Sequence, residues 1–270
     1  MKKDLFIPED VQYIIARLNK EGYEAYVVGG CVRDSILGKV PKDWDITTNS
    51  LPHNTKALFD KTIDTGLKHG TVTVVLNDEN YEITTYRIDG EYSDNRRPDK
   101  VEFTTSLKDD LSRRDFTINA LAYNPAQGIM DFFGGIEDLN KKVIRAVRNA
   151  DKRFKEDALR MLRAIRFSAQ LDFQIEPETL KAISVNKELI NNISPERIRD
   201  ELTKILVSPN PHKLLLLHDT GLLKFILPEF ESCIGVPQNN PYHMYNVCEH
   251  TIVAVSNIED DKILRWTMLL

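Results

Sequence analysis

Residues 25–46 of the 270-residue chain, AYVVGGCVRDSILGKVPKDWDI, contain the pattern that decides the fold. The apolar run Ala25–Val28 predicts a short strand, and it ends directly at Gly29 and Gly30. Glycines at a strand-to-helix turn let the backbone approach a phosphate closely, and the helix expected behind them presents free N–H groups. Arg33 lies one turn into that helix and is a further candidate for a phosphate contact.

The same stretch ends in two aspartates, Asp43 and Asp45, on a predicted strand over 43–46. Side chains two residues apart on a strand face the same side, so these carboxylates can share one divalent ion or bracket two. An acidic turn exposed to solvent is the alternative, and the glycine pair upstream favours the metal site. Glu82, in the predicted strand 81–87, supplies a third carboxylate. Three carboxylates on neighbouring strands fit two-metal phosphoryl or nucleotidyl transfer.

The composition indicates a globular protein, with 41% hydrophobic and 29% charged residues. No apolar run approaches the ~20 residues of a membrane helix, so no membrane association is expected. The N-terminal segment has acids and a proline where a signal peptide needs an apolar run. Three cysteines without metal-binding spacing favour a reduced, cytoplasmic setting.

The net charge is −5, but its distribution is uneven. Residues 141–170 hold ten Lys and Arg against three acids. A local basic surface of this kind can bind nucleotides or a nucleic-acid backbone. The alternative is a charged helix that is only solvated.

Residue periodicity divides the chain into a mixed α/β half and a helical half. In the first half we expect helices at 8–21, 31–37 and 52–60, strands at 71–76 and 81–87 joined by the four-residue turn 77–80, a flexible loop at 90–100 and a strand at 101–104. In the second half we expect helices at 107–122, 151–171, 176–184, 195–207 and 211–218.

Five motifs occur in the order that is typical of one family. They are Gly29-Gly30-x-x-Arg33-Asp34, Asp43-x-Asp45, Arg113-Arg114-Asp115-Phe116-Thr117-Ile118-Asn119-Ala120, Glu156-Asp157-x-x-Arg160 and Pro195-Glu196-Arg197-Ile198. The chain resembles class II tRNA nucleotidyltransferases, which are the CCA-adding enzymes and their bacterial poly(A) polymerase relatives in the DNA polymerase beta-like superfamily. The resemblance runs from about residue 22 to residue 270.

The resemblance implies an α+β protein in three parts: a nucleotidyltransferase head with a small mixed sheet at 1–140, an all-α neck at 141–210 and a partial helical body at 211–270. It implies template-independent addition of CCA to the 3′ end of tRNA from CTP and ATP, with the tRNA acceptor stem as partner. It implies two Mg²⁺ ions on Asp43 and Asp45, with Glu82 as the third catalytic carboxylate. The family's nucleotide contacts fall here on Gly29, Gly30, Arg33, Arg114, Asp157, Arg160, Arg163 and Arg166.

Asp157 and Arg160 take the family's base-reading positions. On a continuous helix over 151–171, Arg160, Arg163 and Arg166 would lie beside Asp157 on the arc that faces away from the apolar stripe. The carboxylate of Asp157 can accept from the amino group of cytosine or adenine, and the guanidinium of Arg160 can donate to the ring acceptor. Uracil and guanine carry a carbonyl where that amino group lies. The alternative is a surface ion pair three residues apart on the helix.

The end of the chain holds His243 and His250, which resemble the first histidines of an HD-type domain. The chain stops in the apolar run 266–270 while family members are usually longer, so we expect it to be a fragment. His250 is expected to be structural here. The loop with Asp94, Arg96 and Arg97 resembles the family's flexible loop, which counts against an enzyme that adds only two cytidines.

Three alternatives to CCA addition remain open at this stage. The first is a poly(A) polymerase or an enzyme that adds only A or only CC. The second is a relative that binds RNA or nucleotide without chemistry. The third is an HD phosphohydrolase, which needs a His-Asp doublet after His250, whereas the doublet His218-Asp219 precedes both histidines. The sequence does not indicate the oligomeric state.

Overall fold

The computed structural model describes residues 5–90, 92, 100–239, 242 and 244–270. Within them the chain forms two compact units, the first from residues 5–90 and 100–141 and the second from residue 142 onward. In the described ranges no helix is both long enough and apolar enough to span a membrane. The division into head, neck and body stays a prediction, and the predicted flexible loop with Asp94 lies outside the described residues.

The described part of the first unit contains nine strands. They are β1 Ala25–Val28, β2 Ile46–Thr48, β3 Thr62–Gly66, β4 Thr71–Leu76, β5 Glu79–Thr85, β6 Arg87–Asp89, β7 Val101–Phe103, β8 Leu121–Asn124 and β9 Gly128–Asp131. Seven of them form one sheet in the order β3-β4-β5-β2-β1-β8-β9, and β6 pairs separately with β7. β2 runs parallel to β5 and the other neighbours are antiparallel, which confirms the predicted mixed sheet.

Five helices complete the described part of the first unit. They are α1 Glu9–Lys20, α2 Gly30–Ile36, α3 Pro52–Leu58, α4 Leu107–Ser112 and α5 Gly135–Lys141. α1 buries the four apolar residues whose spacing predicted it, Val11, Ile14, Ile15 and Leu18. All four residues of β1 are buried, because the sheet places this strand between β2 and β8 and both α1 and α2 pack against it.

Two predictions of β structure need correction. The strand predicted over 43–46 begins only at Ile46, so both aspartates precede it. The turn predicted over four residues consists of Asn77 and Asp78 alone, with φ values of 51° and 63°. Positive φ at both positions is what a two-residue turn of type I′ requires, and Asn and Asp tolerate it better than other non-glycine residues.

The helix predicted over 107–122 is wrong beyond its first turns. α4 ends at Ser112, a short 3₁₀ turn follows at Thr117–Asn119, and the chain then enters β8. The apolar run at 120–123 that fitted a helix face instead leads into β8, a fully buried strand between β1 and β9. A continuous apolar run allows both interpretations, and sheet pairing decides between them.

The described part of the second unit is mainly helical. Its helices are α6 Ala150–Glu156, α7 Leu159–Leu171, α8 Pro177–Asn186, α9 Pro195–Leu206, α10 Leu216–Asp219, α11 Leu223–Ile226, α12 Pro228–Glu231, α13 Val247–Asn257 and α14 Lys262–Leu269. Two short parallel strands, β10 Val143–Ile144 and β11 Gln174–Ile175, were not predicted. The helix predicted over 151–171 is wrong as a single element, because it breaks at Asp157 between α6 and α7.

Candidate active site

The turn after β1 has a conformation that only glycine adopts easily. Gly29 has φ 84° and ψ −129°, and its N–H donates to the Leu121 carbonyl oxygen at 3.0 Å. A Cβ at this position would lie 2.8 Å from Arg114 Nη1. The absence of a side chain at Gly29 therefore allows the guanidinium of Arg114 to lie directly against the turn.

Asp43 and Asp45 lie in the connection that leads into β2. Although neither belongs to the strand, the N–H of Val28 donates to the Asp45 carbonyl oxygen at 3.0 Å, which ties this connection to β1. Both residues are exposed. Neither carboxylate accepts a hydrogen bond or an ion pair from a described side chain, so both keep their full capacity for a cation.

The carboxyl group of Asp45 experiences opposing influences. Partial loss of hydration raises the pKa of Asp45 although the residue as a whole is exposed; Arg114 opposes this rise and Asp43 adds to it. Two like charges at this spacing repel each other unless a cation compensates them. The aspartate pair therefore offers the hard oxygen ligands of a divalent-cation site. Arg114 acts on Asp45 electrostatically, but no described side chain forms an ion pair with either carboxylate.

Glu82 lies on β5 next to this connection. Ile46 of β2 pairs with Ile83 of β5 in parallel register, so Asp45 and Glu82 each directly precede one member of this pair. Glu82 is exposed. Among the described residues no group of three or more His, Cys, Asp or Glu side chains is close enough to hold a metal ion. Glu82 as a third ligand therefore stays a prediction.

Arg114 is the cation of this site. Burial lowers the pKa of its guanidinium, Asp110 and Asp45 raise it, and its Nε is buried without a hydrogen-bond partner. A buried donor without a partner is costly unless a ligand satisfies it. Asp110, which the sequence reasoning passed over, is the acid that raises the pKa of Arg114 most, and it forms an ion pair with the neighbouring Arg113 at 2.9 Å. Its signal in the sequence was its position three residues before Arg113, which allows an ion pair on one helix face.

Arg33, by contrast, is engaged within the first unit. It is buried, its Nη1 donates to Asn119 Oδ1 at 2.6 Å and its Nε to Asp34 Oδ1 at 2.8 Å. Asn119 Nδ2 in turn donates to Asp115 Oδ1 at 3.0 Å. Asn119, for which the sequence allowed either a site contact or an orienting role, thus orients Arg33. A phosphate contact by Arg33, or by the Gly30 backbone next to it, stays a prediction.

In the second unit, Asp157 lies at the break between two helices. Its backbone is extended, with φ −140° and ψ 106°, and its Oδ1 accepts from the N–H of Leu159 at 3.0 Å, which caps the first turn of α7. Its Oδ2 forms an ion pair with Arg197 Nη2 at 3.3 Å. The break therefore places an acidic side chain at the start of α7 and fixes it by two contacts.

The arginines of α7 are largely enclosed by the protein, and their predicted contacts with a nucleotide stay a prediction. Arg160 and Arg166 are each 9% exposed. Arg160 Nη1 donates to Glu156 Oε2 at 2.7 Å, and Arg166 forms an ion pair with Glu201 of α9 at 2.9 Å. Arg163 and Arg166 lie 5.4 and 4.2 Å from the Phe167 ring. α7 packs against α9, so its polar side is enclosed and acids compensate its charges.

The basic character of residues 141–170 is reduced in the same way. Arg145 pairs with Glu176 at 3.0 Å and Arg166 pairs with Glu201, two acids that lie outside the segment. Counting charges along the sequence misses such partners. The segment therefore offers less free positive charge than its composition predicted.

The histidines near the end of the chain do not form a site in the described residues. His250 is exposed on α13, and His243 lies outside the described residues. The prediction that His250 has only a structural role here stays a prediction.

Two family models match the chain. "Poly A polymerase head domain" matches residues 25–145, and "Probable RNA and SrmB- binding site of polymerase A" matches residues 172–234. The CCA-adding enzyme of Lactobacillus gasseri is 54% identical over 210 residues, which are 77% of this chain and 53% of that protein. The chain thus spans about half the length of the curated relatives that it matches.

Solved structures of CCA-adding enzymes have the same fold. The Bacillus stearothermophilus CCA-adding enzyme in complex with CTP is 44% identical with a TM-score of 0.79, over 85% of this chain and 57% of that one. The Thermotoga maritima CCA-adding enzyme complexed with tRNA is 25% identical with a TM-score of 0.69, over 97% of this chain and 66% of that one. From its head-domain match and these relatives, the chain belongs to the poly(A) polymerase and CCA-adding enzyme family of polymerase beta-like nucleotidyltransferases.

Proposed function

We propose that this chain carries the nucleotidyl-transfer function of a CCA-adding enzyme, which adds CMP, CMP and AMP to the 3′ end of tRNA from CTP and ATP. The observation that carries the proposal is the pair Asp43 and Asp45. Two exposed carboxylates, two residues apart, have no described side chain bound to them, and the half-buried cation Arg114 acts electrostatically on Asp45. A protein that only binds RNA has no need for two such acids near the Gly29 turn and Arg114, because unpaired carboxylates repel the phosphates of RNA.

The donor set of this pair fits magnesium. Carboxylate oxygens are the ligands that Mg²⁺ prefers, and Mg²⁺ is often held by one or two carboxylates together with substrate phosphates. We assign two ions to Asp43 and Asp45, with Glu82 as the third carboxylate. When bound, the ions supply activation of the attacking hydroxyl and charge compensation on the leaving pyrophosphate.

The reaction itself is a displacement at the α-phosphorus of the incoming nucleotide. The 3′-hydroxyl of the RNA forms the new P–O bond, and the bond to the oxygen that bridges to the β-phosphate breaks, which releases pyrophosphate. Arg114 provides a guanidinium with an unused buried N–H, which suits an anionic phosphate oxygen. Gly29 and Gly30 let the triphosphate approach the backbone, while Arg33 fixes the helix behind them through Asn119.

Base selection is assigned to the start of α7. Each carboxylate oxygen of Asp157 already accepts one hydrogen bond and keeps a further lone pair for the amino group of cytosine or adenine. Arg160, oriented by Glu156, supplies a donor for the ring acceptor. Arg163 and Arg166 support this segment by their contacts with Phe167. Uracil and guanine present a carbonyl oxygen to Asp157 and are disfavoured by repulsion between acceptors.

The partner of this reaction is tRNA, bound through its 3′ end and acceptor stem in the cytoplasm. Support comes from the relatives, since one solved structure is a complex with CTP and another a complex with tRNA. A match to a probable RNA-binding model at residues 172–234 adds to it. The second candidate is poly(A) synthesis, which the match of residues 25–145 to the poly A polymerase head domain favours.

The test uses a tRNA without its 3′ CCA, Mg²⁺ and radiolabelled nucleotides, with products resolved at single-nucleotide length. We expect three added residues that require both CTP and ATP, and no addition by the Asp43→Asn or Asp45→Asn variants. A ladder of A residues from ATP alone indicates poly(A) synthesis instead. Binding of tRNA without any incorporation by the folded wild-type chain would support the non-catalytic alternative.

The Glu82→Gln variant tests, in the same assay, whether Glu82 is the third carboxylate of the metal site. A loss of incorporation as large as that of Asp45→Asn supports Glu82 as a ligand. Incorporation at the wild-type rate removes Glu82 from the site and leaves the aspartate pair as its acidic part.

A further inference from the structure

A pair of threonine hydroxyls lies on the sheet next to Glu82. Thr73 of β4 pairs directly with Glu82 of β5 in antiparallel register, so the two side chains project to the same face with Cβ atoms ~4.5–5.5 Å apart. Thr73 Oγ1 lies 2.8 Å from the Oγ1 of Thr65 on β3. Thr73 is 4% exposed, whereas Thr65 is exposed. A nearly buried residue opposite Glu82 therefore holds the exposed hydroxyl of Thr65 in place.

An irregularity in β3 brings these two hydroxyls together. Ile63 of β3 pairs with Thr73. Gly66, three residues later, pairs with Thr71, which lies only two residues from Thr73 on β4. β3 thus contains one extra residue, a bulge of the kind that re-aims side chains next to active sites. The bulge shifts Thr65 away from Thr71, its partner in a regular ladder, and its hydroxyl meets Thr73 instead.

The hydroxyl pair has hydrogen-bonding capacity that the protein does not use. Each hydroxyl carries one proton, and the two share a single hydrogen bond. Neither Thr65 nor Thr73 makes a further side-chain contact with a described residue, so one O–H of the pair has no protein acceptor in that part of the chain. Lone pairs on both oxygens are also free. The pair can therefore donate one hydrogen bond to a ligand and accept another from it.

The strand order indicates which substrate meets this pair. The Gly29 turn follows β1, and in the sheet order β1 lies on one side of β5 while β4 and β3 lie on the other. In nucleotidyl transfer the attacking and leaving oxygens lie roughly in line across the phosphorus. With the triphosphate at the Gly29 turn, pyrophosphate leaves on the side of β1. The 3′ end of the RNA then approaches over β4 and β3.

We propose that the hydroxyl pair of Thr65 and Thr73 binds the 2′-hydroxyl of the 3′-terminal nucleotide of the RNA. Thr65 contacts the ribose, and Thr73 is the positioning residue that orients it. The inference rests on the proposed function, because it takes Glu82 as the carboxylate beside the attacking 3′-hydroxyl. The 2′- and 3′-hydroxyls are on adjacent carbons of the ribose, so a group next to Glu82 is within reach of the 2′-hydroxyl.

The chemistry of the pair favours a hydroxyl over a phosphate. A 2′-hydroxyl both donates and accepts, as the threonine pair does, and it is the group by which a protein distinguishes RNA from DNA. A phosphate oxygen only accepts, and the carboxylate of Glu82 next to the pair would repel its charge. The pair therefore fits the sugar of the RNA end.

The test compares two tRNAs without 3′ CCA that differ only in their last sugar, which is ribose or 2′-deoxyribose with an intact 3′-hydroxyl. The full chain receives Mg²⁺ and CTP, and kcat/KM is measured for the first addition. We expect the wild type to use the ribose end about fivefold better, the value of about one hydrogen bond. In Thr65→Val, which keeps the shape but loses the hydroxyl, the preference should fall below about twofold.

Thr71→Val is the matched control. Thr71 lies on β4 two residues from Thr73, and its Oγ1 is 3.1 Å from the Oγ1 of Thr84 on β5. The variant thus loses a similar hydroxyl pair on the same face and should keep the fivefold preference. A merely structural role of such pairs slows the addition to both tRNAs equally, so it leaves the ratio of the two kcat/KM values unchanged in either variant.

Each outcome decides one proposal. Equal use of both tRNAs by an active wild-type chain overturns the inference alone, and this result needs no variant. A Thr65→Val variant that keeps the wild-type preference also overturns it, as does an equal loss of preference in Thr71→Val. A folded wild-type chain that adds nothing to either tRNA overturns the proposed function itself, and the inference falls with it.

Discussion

Replacing Gly29 with alanine tests the close approach of Arg114 to the strand-to-helix turn. The substitution has two separate costs. A non-glycine residue at φ 84° and ψ −129° costs ~1–3 kcal/mol in backbone strain. The new Cβ would also lie 2.8 Å from Arg114 Nη1, so the guanidinium must move. Arg114 is half-buried and its Nε is fully enclosed, so displacement of the guanidinium adds to the loss, and we expect about 3–5 kcal/mol in total.

Gly38 provides the matched control. It ends the helix that Gly29 precedes, has a positive φ of 74°, and a Cβ there would meet nothing within 4 Å. Gly38→Ala should therefore cost only the backbone term, ~1–2 kcal/mol. The difference between the two variants gives the contact with Arg114 together with the additional backbone strain at Gly29, whose ψ of −129° few other residues adopt.

Urea unfolding gives the two free energies, and nucleotide incorporation gives the effect on the site. A displacement of ~1 Å in a catalytic group can reduce the rate by ~10²-fold, so Gly29→Ala should be at least that much slower while Gly38→Ala keeps the wild-type rate. A Gly29→Ala variant that unfolds like Gly38→Ala and incorporates nucleotide within twofold of wild type would refute the reasoning.

Three further predictions concern stability and reactivity. Burial raises the pKa of the Cys31 thiol to about 11, so at pH 8 a thiol reagent should label the less buried Cys233 first and Cys31 only on unfolding, as peptide mapping would show. Asp78→Gly should raise the free energy of unfolding in urea by ~0.5–1 kcal/mol, because glycine takes the positive φ of the hairpin turn without strain. Burial raises the pKa of Glu176, but the hydrogen bonds from Thr179 outweigh burial, so the pKa is lower in the folded state than in the unfolded state. The carboxylate therefore stabilises the fold above pH ~4.5, and this stabilisation disappears as the pH falls through the pKa of the folded state. Unfolding of Glu176→Gln at pH 7 and at pH 3 should show a deficit that is smaller at the lower pH.

The sequence pattern predicted the secondary structure correctly where only one type of element fitted the segment. The apolar spacing of α1 and the glycines after β1 predicted their elements correctly, because a helix face and a strand-to-helix turn are local features. The apolar run at 120–123 fitted both a helix and a strand. Only its pairing with β1, about one hundred residues earlier in the chain, decides in favour of a strand.

In the candidate site, too, the sequence predicted residue types but not contacts between residues that are distant in the chain. The spacing of Asp43 and Asp45 and the charge of Arg114 were readable from the sequence, since they depend on residue type. The engagement of Arg33 by Asn119 and of Arg166 by Glu201 was not, because each pair is distant in sequence. The helix break at Asp157 was also missed, although an aspartate that caps the next helix is a known signal for such a break.

The position of β1 inside the sheet, between β2 and β8, has a consequence for the order in which parts of the protein fold. β1 can pair with β2 as soon as residue 48 is available, but its other edge pairs with β8, and the N–H of Gly29 donates to Leu121. A growing chain therefore cannot fix the Gly29 turn until about one hundred further residues have left the ribosome. Contacts of such high sequence separation form slowly, so the turn at Gly29 is expected to be among the last parts of the first unit to become ordered during synthesis.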